Sequence, residues 1–175
     1  MSVAHRGGIL RRPLPPRPAA ALAALRARLA PTGARWWVTG GVAAAFHGLD
    51  RRPGDVDAEC ALADADAVAA ALGVVMRTDD DGVVCSLRGG LRIAGVDVDM
   101  SAGLAVAGPG GRVEPDDPAV WAAAREVWWA GGPLRVAPPG ECLARALARG
   151  DAARIARARA VCGPGDEAYA STRLG

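Results

Sequence analysis

The sequence predicts an α+β (α/β) fold, a mixed β-sheet with helices packed on it. Several Ala-rich segments place apolar residues every three or four positions, which is the helical period. Short runs rich in Val, Thr and Trp, bounded by Gly or Asp, indicate strands. Along the chain these patterns follow the order helix, strand, helix, several strands and then helices. That order favours a mixed sheet covered by helices.

Length and composition limit the class of protein. The chain has 175 residues, of which 51% are apolar, which is enough for one domain. No apolar run approaches the roughly 20 residues of a membrane span, and the N-terminal region lacks the continuous apolar segment of a secretory leader. We therefore expect a cytoplasmic protein with no membrane contact. The net charge of +2 is too small to indicate a nucleic-acid-binding protein by itself.

The first half of the chain begins with a Pro- and Arg-rich stretch, residues 1–18, which predicts a disordered or extended arm. Leu22, Leu25 and Leu29 are spaced by three and four, and they predict a helix over 19–30. The elements expected next are a strand over 35–39, a short helix over 42–47, a strand over 55–60 and a helix over 64–72.

The second half is predicted to contain more strands and then helices. Asp79–Gly82 and Gly89–Gly90 are typical of hairpin turns, and the Gly-rich stretch 103–111 is expected to be irregular. We expect a folded domain over 19–162 and a frayed tail over 163–175. The remaining predicted elements are strands over 74–77, 83–88 and 91–100, a helix over 117–125, a hairpin over 127–137 and helices over 141–148 and 152–161.

Two adjacent glycines, Gly40 and Gly41, follow Thr39 at the junction of a predicted strand and a predicted helix. Glycine permits positive φ and close approach of the backbone. The amides that open the next helix have no partner within it, so they can hold a phosphate. Such a glycine pair is equally typical of an ordinary turn.

Two carboxylates, Asp55 and Asp57, follow on a predicted strand. Residues i and i+2 of a strand project from the same face, with Cα atoms roughly 6–7 Å apart. Their charges repel unless a cation lies between them, and hard oxygen ligands suit Mg²⁺. The alternative is an edge strand whose acidic side chains face solvent.

Asp97 and Asp99 repeat this alternation on a later strand. If the two acidic strands are neighbours in the sheet, three or four carboxylates converge. Such a group could hold two metal ions between an attacking oxygen and an α-phosphate.

Taken together, these residues resemble the nucleotidyltransferase superfamily, which has the DNA polymerase beta-like fold. They are more similar to its small bacterial members, of the abortive-infection and antibiotic nucleotidyltransferase types. The resemblance implies a third acid at Asp99 or Asp97, and the spacing from the preceding glycine favours Asp99. The residues that match the family pattern are Gly40, Gly41, Ala43, His47, Gly48, Arg51, Asp55 and Asp57.

The resemblance implies transfer of a nucleoside monophosphate from a nucleoside triphosphate, with ATP favoured, to an acceptor hydroxyl. Mg²⁺ is the expected cofactor and Mn²⁺ a second possibility. Asp55, Asp57 and Asp99 would be the catalytic metal ligands, with Asp97 as the alternative third acid. The acceptor is not readable: tRNA, an antibiotic and a protein all fit. The expected nucleotide-binding residues are Thr39, Gly40, Gly41, His47, Arg51 and Arg52.

Several assignments have alternatives. The chain is short for an enzyme that binds a second substrate, so an acceptor site shared across a homodimer is one arrangement. A non-catalytic relative that binds a nucleotide or a partner protein is another. Arg145 stands where a Lys is common in these proteins. His47 could simply cap its helix, and Glu59 could join the metal ligands or reach solvent.

Overall fold

A computed structural model describes residues 13–115 and 118–175. The first twelve residues of the predicted arm lie outside the described residues. The helices are α1 (Pro16–Leu29), α2 (Gly40–Phe46), α3 (Ala65–Leu72), α4 (Pro118–Ala122), α5 (Pro139–Arg149), α6 (Ala152–Arg159) and α7 (Pro164–Arg173). The strands are β1 (Trp36–Val38), β2 (Val56–Cys60), β3 (Arg77–Asp80), β4 (Val84–Ile93), β5 (Val96–Gly108), β6 (Gly111–Val113), β7 (Arg125–Trp129) and β8 (Gly132–Val136).

The strands form one mixed sheet in the order β3-β4-β5-β2-β1-β8-β7, and β6 pairs with the end of β5. The β2–β5 and β1–β8 pairs are parallel, and the other pairs are antiparallel. This arrangement confirms the predicted α+β class with helices packed on a mixed sheet.

One face of the sheet packs against α1 and α3. Leu22, Leu25 and Leu29 of α1 are fully buried there, as their spacing predicts. Alternate residues of the central strands complete this core, including Val56 and Ala58 of β2. Because side chains alternate along a strand, the residues between these apolar positions face the opposite side of the sheet.

The opposite face carries α5, α6 and α7 over the second half of β5. Val106 packs there with Leu143 and Ala144 of α5. A β-bulge allows this change of face. Leu87 pairs with Ala102, whereas Cys85 pairs with Ala105. Strand β5 therefore has one more residue than β4 at this point. Gly103, at φ 61°, lies in the bulge. Leu104 and Val106 therefore lie on the face from which Asp99 and Ser101 project.

Three predicted elements in the middle of the chain are wrong. The strand predicted over 74–77 is β3 at Arg77–Asp80, and the stretch 103–111 is mostly the regular end of β5. Gly89 and Gly90 do not form a turn but lie inside β4, and the chain turns at Ala94–Gly95 instead. The glycines serve close packing: a Cβ at Gly89 would lie 3.1 Å from Val74 and one at Gly90 would lie 3.4 Å from the Asp99 carboxylate.

The two ends of the predicted domain also differ from expectation. Helix α1 begins at Pro16, inside the predicted arm. Pro is tolerated at the first helical positions because the N–H that it lacks would have no partner in the helix there. The predicted frayed tail is helix α7, whose Ala170 is fully buried. Tyr169 of α7 donates a hydrogen bond to Glu141 of α5 at 3.1 Å, and this contact holds the segment on the domain.

Candidate active site

The start of α2 touches the Asp57 side chain. Gly40 has φ 58°, and a Cβ at this position would overlap the Asp57 carboxylate. The Gly41 amide donates a hydrogen bond to that carboxylate, and the Thr39 amide donates to the Asp57 carbonyl at 2.9 Å. The glycine pair therefore permits α2 to begin directly against Asp57. In this structure the Gly41 amide orients an acid.

The two acidic strands are neighbours, which is the arrangement that the site hypothesis requires. Asp57 of β2 and Asp99 of β5 are direct register partners in a parallel pair. Strands that pair in this way lie about 4.8 Å apart, so both carboxylates leave the same face side by side. Asp55 lies just before β2, and its charge acts on Asp57.

The electrostatics of Asp57 show an excess of negative charge. Burial raises the pKa of the Asp57 carboxyl, and the nearby charges of Asp55 and Asp99 raise it further. The hydrogen bond from Gly41 and the charge of Arg88 oppose these effects but do not outweigh them. A bound cation would remove this repulsion.

Asp99 and Asp97 differ in their surroundings. Arg88 of β4 donates to Asp99 at 2.9 Å and to Asp79 at 3.2 Å. Asp97 pairs with Arg92 at 3.3 Å, and its side chain is 77% exposed. Asp99 lines the cleft beside Asp57 and Asp97 does not, which favours Asp99 as the third acid. Across residues 13–115 and 118–175, no three His, Cys, Asp or Glu side chains are arranged to hold a metal ion.

Asp57 and Asp99 lie in a cleft of about 550 Å³ between the sheet, the start of α2 and helices α5 and α6, whereas Asp55 is exposed and does not line it. Its floor is formed by β2, β4 and β5, and its walls carry both acidic and basic side chains. The charged and hydroxyl-bearing residues that line it are Thr39, Arg51, Asp57, Asp79, Asp81, Ser86, Arg88, Asp99, Ser101, Arg145, Arg149, Arg154 and Arg157.

The other expected nucleotide-binding residues separate into two groups. Arg51 lines the cleft close to Gly41, whereas Arg52 is exposed and does not line it. His47, at the end of α2, donates from Nε2 to the Ala137 carbonyl at 2.7 Å. Burial lowers the pKa of His47, so the neutral ring is favoured. This contact matches the alternative in which His47 has a structural role.

A buried ionic network that sequence reasoning missed lies behind the acids. Arg145 of α5 donates to both carboxylate oxygens of Glu59, at 2.7 and 2.9 Å, and to Glu141 at 3.0 Å. Trp37 also donates to Glu59, and Arg173 donates to Glu141 at 2.9 Å. Glu59 therefore neither joins the acids at the cleft floor nor reaches solvent, because Arg145 holds it. The spacing of Glu141 and Arg145 by four residues is the one sequence signal that could have found this network.

Comparison with solved structures supports the fold. The chain is similar to TM1012 of Thermotoga maritima, a protein assigned to the nucleotidyltransferases, with TM-score 0.65 and 22% identity over 73% of this chain and 81% of that one. It is similar to ANT(2")-Ia in complex with adenylyl-2"-tobramycin, with TM-score 0.53 and 14% identity over 88% of this chain and 95% of that one. The solution structure of the antibiotic-resistance factor ANT(2'')-Ia gives TM-score 0.54, with 16% identity over 88% and 89% of the two chains.

No protein-family model and no curated protein sequence matches the chain. The structural likeness therefore carries the conclusion: this chain has a nucleotidyltransferase-like fold. Among the described residues, no helix is both long and apolar enough to cross a membrane.

Proposed function

We propose that this protein is a Mg²⁺-dependent nucleotidyltransferase. The observation that carries the proposal is the pairing of Asp57 with Asp99 on neighbouring parallel strands, beside the glycine pair that opens α2. This juxtaposition lies in a fold that is similar to nucleotidyltransferases. Neither feature would carry the proposal alone, since a fold does not determine a function.

The chemistry of the donor set fits a hard divalent cation, although among the described residues the three acids are not arranged to hold one in this structure. Carboxylate oxygens are the ligands that Mg²⁺ and Mn²⁺ prefer. The raised pKa of Asp57, caused by burial and by Asp55 and Asp99, shows negative charge that a cation would neutralise. Asp55, Asp57 and Asp99 would hold the metal, which would offset the charge of a bound triphosphate and polarise its phosphate oxygens. Arg88 would first have to release Asp99.

The triphosphate would lie at the α2 end of the cleft. Gly40 would place its backbone amide near the phosphates, and Arg51 would add positive charge. The Gly41 amide would keep Asp57 in place. ATP is the favoured nucleotide, although no described feature selects a base.

The reaction would be in-line attack on the α-phosphorus. The acceptor oxygen forms a bond to phosphorus, the bond between the α-phosphorus and the α–β bridging oxygen breaks, and pyrophosphate leaves. Asp99 would accept the proton of the attacking hydroxyl, because its carboxylate lies beside Asp57 and lines the cleft.

The direct test is incubation with each labelled nucleoside triphosphate and Mg²⁺, with RNA, protein and tobramycin offered as acceptors. We expect transfer of label and release of pyrophosphate, both lost in Asp57→Asn. Asp66→Asn is the matched control, because Asp66 is an exposed acid on α3, which packs on the opposite face of the sheet. Asp99→Ala should abolish transfer but retain most nucleotide affinity. Absence of pyrophosphate with every acceptor would contradict catalysis.

The second candidate is a non-catalytic nucleotide-binding or partner-binding protein. The ion pair between Arg88 and Asp99 favours it, since Arg88 takes the position that a metal would need. Calorimetry separates the candidates: nucleotide binding of equal affinity with and without Mg²⁺, and no turnover, would support the second.

A further inference from the structure

Three arginines form a wall at the end of the cleft away from α2. Arg149 is at the end of α5, and Arg154 and Arg157 follow on α6. Resting on the proposed function, we propose that this wall binds phosphate groups of the acceptor, so that the acceptor is a phosphate-bearing compound with a free hydroxyl.

The wall carries more positive charge than the acids beside it, Asp81 and Asp151, compensate. Partial burial lowers the pKa of Arg149, and repulsion from Arg154 adds to this effect. Within residues 13–115 and 118–175, neither Arg149 nor Arg157 makes an ion pair, and Arg154 pairs with Asp151 at 3.1 Å. A partly desolvated arginine without a hydrogen-bonded anion, facing a cleft, is suited to an anionic ligand.

The acids beside the wall do not cancel its charge. Asp81 also lines this end of the cleft and attracts Arg149. Its carboxylate is already engaged, since it accepts hydrogen bonds from the amides of Val83 and Val84 at 2.9 and 2.6 Å. Three arginines therefore face two acids: Asp81, which is engaged by a turn, and Asp151, which pairs with Arg154.

The position of the wall matches the acceptor side of the reaction. The cleft runs along β5 from Asp99, beside the start of α2, to Leu104, beside the wall. Five residues of strand cover about 15 Å. In an in-line displacement the attacking and leaving oxygens lie on opposite sides of phosphorus. If pyrophosphate leaves toward α2 and Arg51, the acceptor approaches along β5 from the direction of the wall.

The charge also selects against another class of acceptor. An aminoglycoside is polycationic and would be repelled by three arginines. A phosphate-bearing acceptor, either an RNA strand end or a free nucleotide, would be attracted, and its phosphates match the geometry of guanidinium groups. This differs from the tobramycin adduct present in the ANT(2")-Ia complex.

The test uses the double variant Arg149→Gln/Arg157→Gln in the full chain, with Arg159→Gln as the matched control. Arg159 is also on α6 but does not line the cleft, and it pairs with Glu167 at 3.5 Å. Binding of a short fluorescent single-stranded RNA with a free 3′ hydroxyl is measured by anisotropy at several salt concentrations. Binding of Mg²⁺–ATP is measured by calorimetry. Nucleoside monophosphate and tobramycin are tested in the same way as alternative acceptors.

We expect the double variant to lose RNA affinity by about tenfold or more, with a salt dependence smaller by about 1.4 in slope, and to keep Mg²⁺–ATP affinity. Arg159→Gln should behave as wild type. If the double variant loses affinity only for nucleoside monophosphate, the acceptor is a free nucleotide, and this result supports the proposal. Loss of Mg²⁺–ATP affinity alone, unchanged binding of both phosphate-bearing probes, or transfer to tobramycin alone would overturn it.

Failure of this proposal and failure of the proposed function give different results. Asp57→Asn should lose transfer and keep RNA binding, because Asp57 is not part of the wall. If wild type binds RNA through the wall but transfers nothing, the binding site stands and nucleotidyl transfer fails. If wild type transfers label but the double variant binds every acceptor normally, the wall fails and nucleotidyl transfer stands.

Discussion

Asp57 is held in an environment that disfavours its own charge. Burial and the neighbouring acids Asp55 and Asp99 raise its pKa, so ionising it costs folding free energy. A carboxyl whose folded-state pKa is raised stabilises the fold fully below its unfolded value of 3.8, and this stabilisation is lost as the pH rises through the folded-state pKa. At neutral pH the ionised acid therefore opposes folding in the absence of a cation.

Replacing this charge should stabilise the metal-free protein. We expect Asp57→Asn to raise the Tm by a few degrees near pH 7 without divalent metal, because the amide oxygen still accepts from Gly41 and the repulsion is gone. Thermal melts near pH 7 and near pH 4 measure the effect, and the advantage of the variant should shrink toward the lower pH. A variant that is less stable than wild type at neutral pH would show that the Asp57 charge has a favourable partner.

At the position of Gly40 the site cannot accommodate any side chain. Gly40→Ala places a Cβ against the Asp57 carboxylate at a φ of 58°, which L side chains rarely adopt. We expect a loss of about 1–3 kcal/mol in the free energy of unfolding, measured by urea denaturation. Gly54→Ala is the control, because its Cβ meets nothing within 4 Å and its φ is not positive. Equal costs for the two variants would contradict this reading of α2.

At the scale of elements, the buried ionic network joins α5 to the strand that carries Asp57. Arg145 links Glu59 of β2 to Glu141 of α5, and Arg173 of α7 completes the pairing of Glu141. Burial raises the pKa of Glu141, but Arg145, Arg173 and Tyr169 outweigh it and the pKa is lowered. Glu141 is therefore ionised at neutral pH, and the guanidinium groups hold both glutamates in place.

Removing the Arg145 guanidinium, which Glu59 and Glu141 share, should lower the stability of the fold. Arg145→Met leaves Glu59 without its bidentate partner in a site where it is 3% exposed, and we expect about 3–5 kcal/mol of lost stability. Arg159→Met, an exposed position on α6, should change stability by less than about 1 kcal/mol. Urea denaturation of both variants measures the difference. If Arg145→Met unfolds like wild type, the network does not hold α5 on the sheet.

At the scale of the whole molecule, the proposed binding of a metal–nucleotide complex would link stability to the acids. A ligand that binds only the folded state raises its stability according to ligand concentration over Kd. We expect Mg²⁺ with ATP to raise the Tm of wild type by several degrees at saturating concentration, since the cation removes the repulsion at Asp57. ATP without a divalent cation should have little effect, because the triphosphate would meet uncompensated carboxylates. A thermal shift of equal size with and without Mg²⁺ would count against the metal.

The central helices and strands could be predicted from the sequence because local patterns were sufficient to identify them. The spacing of Leu22, Leu25 and Leu29 predicted the buried stripe of α1, and the alternation around Asp57 and Asp99 predicted two strands with acids on one face. The turn predicted from the glycines of β4 was wrong, because Gly89 serves close packing against Val74 and no turn forms there.

The remaining features depend on contacts between distant residues. Glu59 and Arg145 meet only when α5 lies on β2, and no local pattern records that pairing. The arginines of the wall are on two successive helices, but they face a cleft only because the sheet places Asp99 and Leu104 along its floor. In a chain where every basic residue is Arg, composition could not single them out.

The bulge at Gly103 sets the phase of side-chain alternation along β5. Before it, even-numbered residues such as Met100 point to the core under α1, and after it Val106 points to α5. A deletion of one residue here would restore unbroken alternation and turn Leu104 and Val106 away from α5. That helix would then lose its apolar support, and Arg149 at its end would lose its place above the cleft. One inserted residue thus lets a single strand present Asp99 to the cleft and, further along, anchor the helices on its other side.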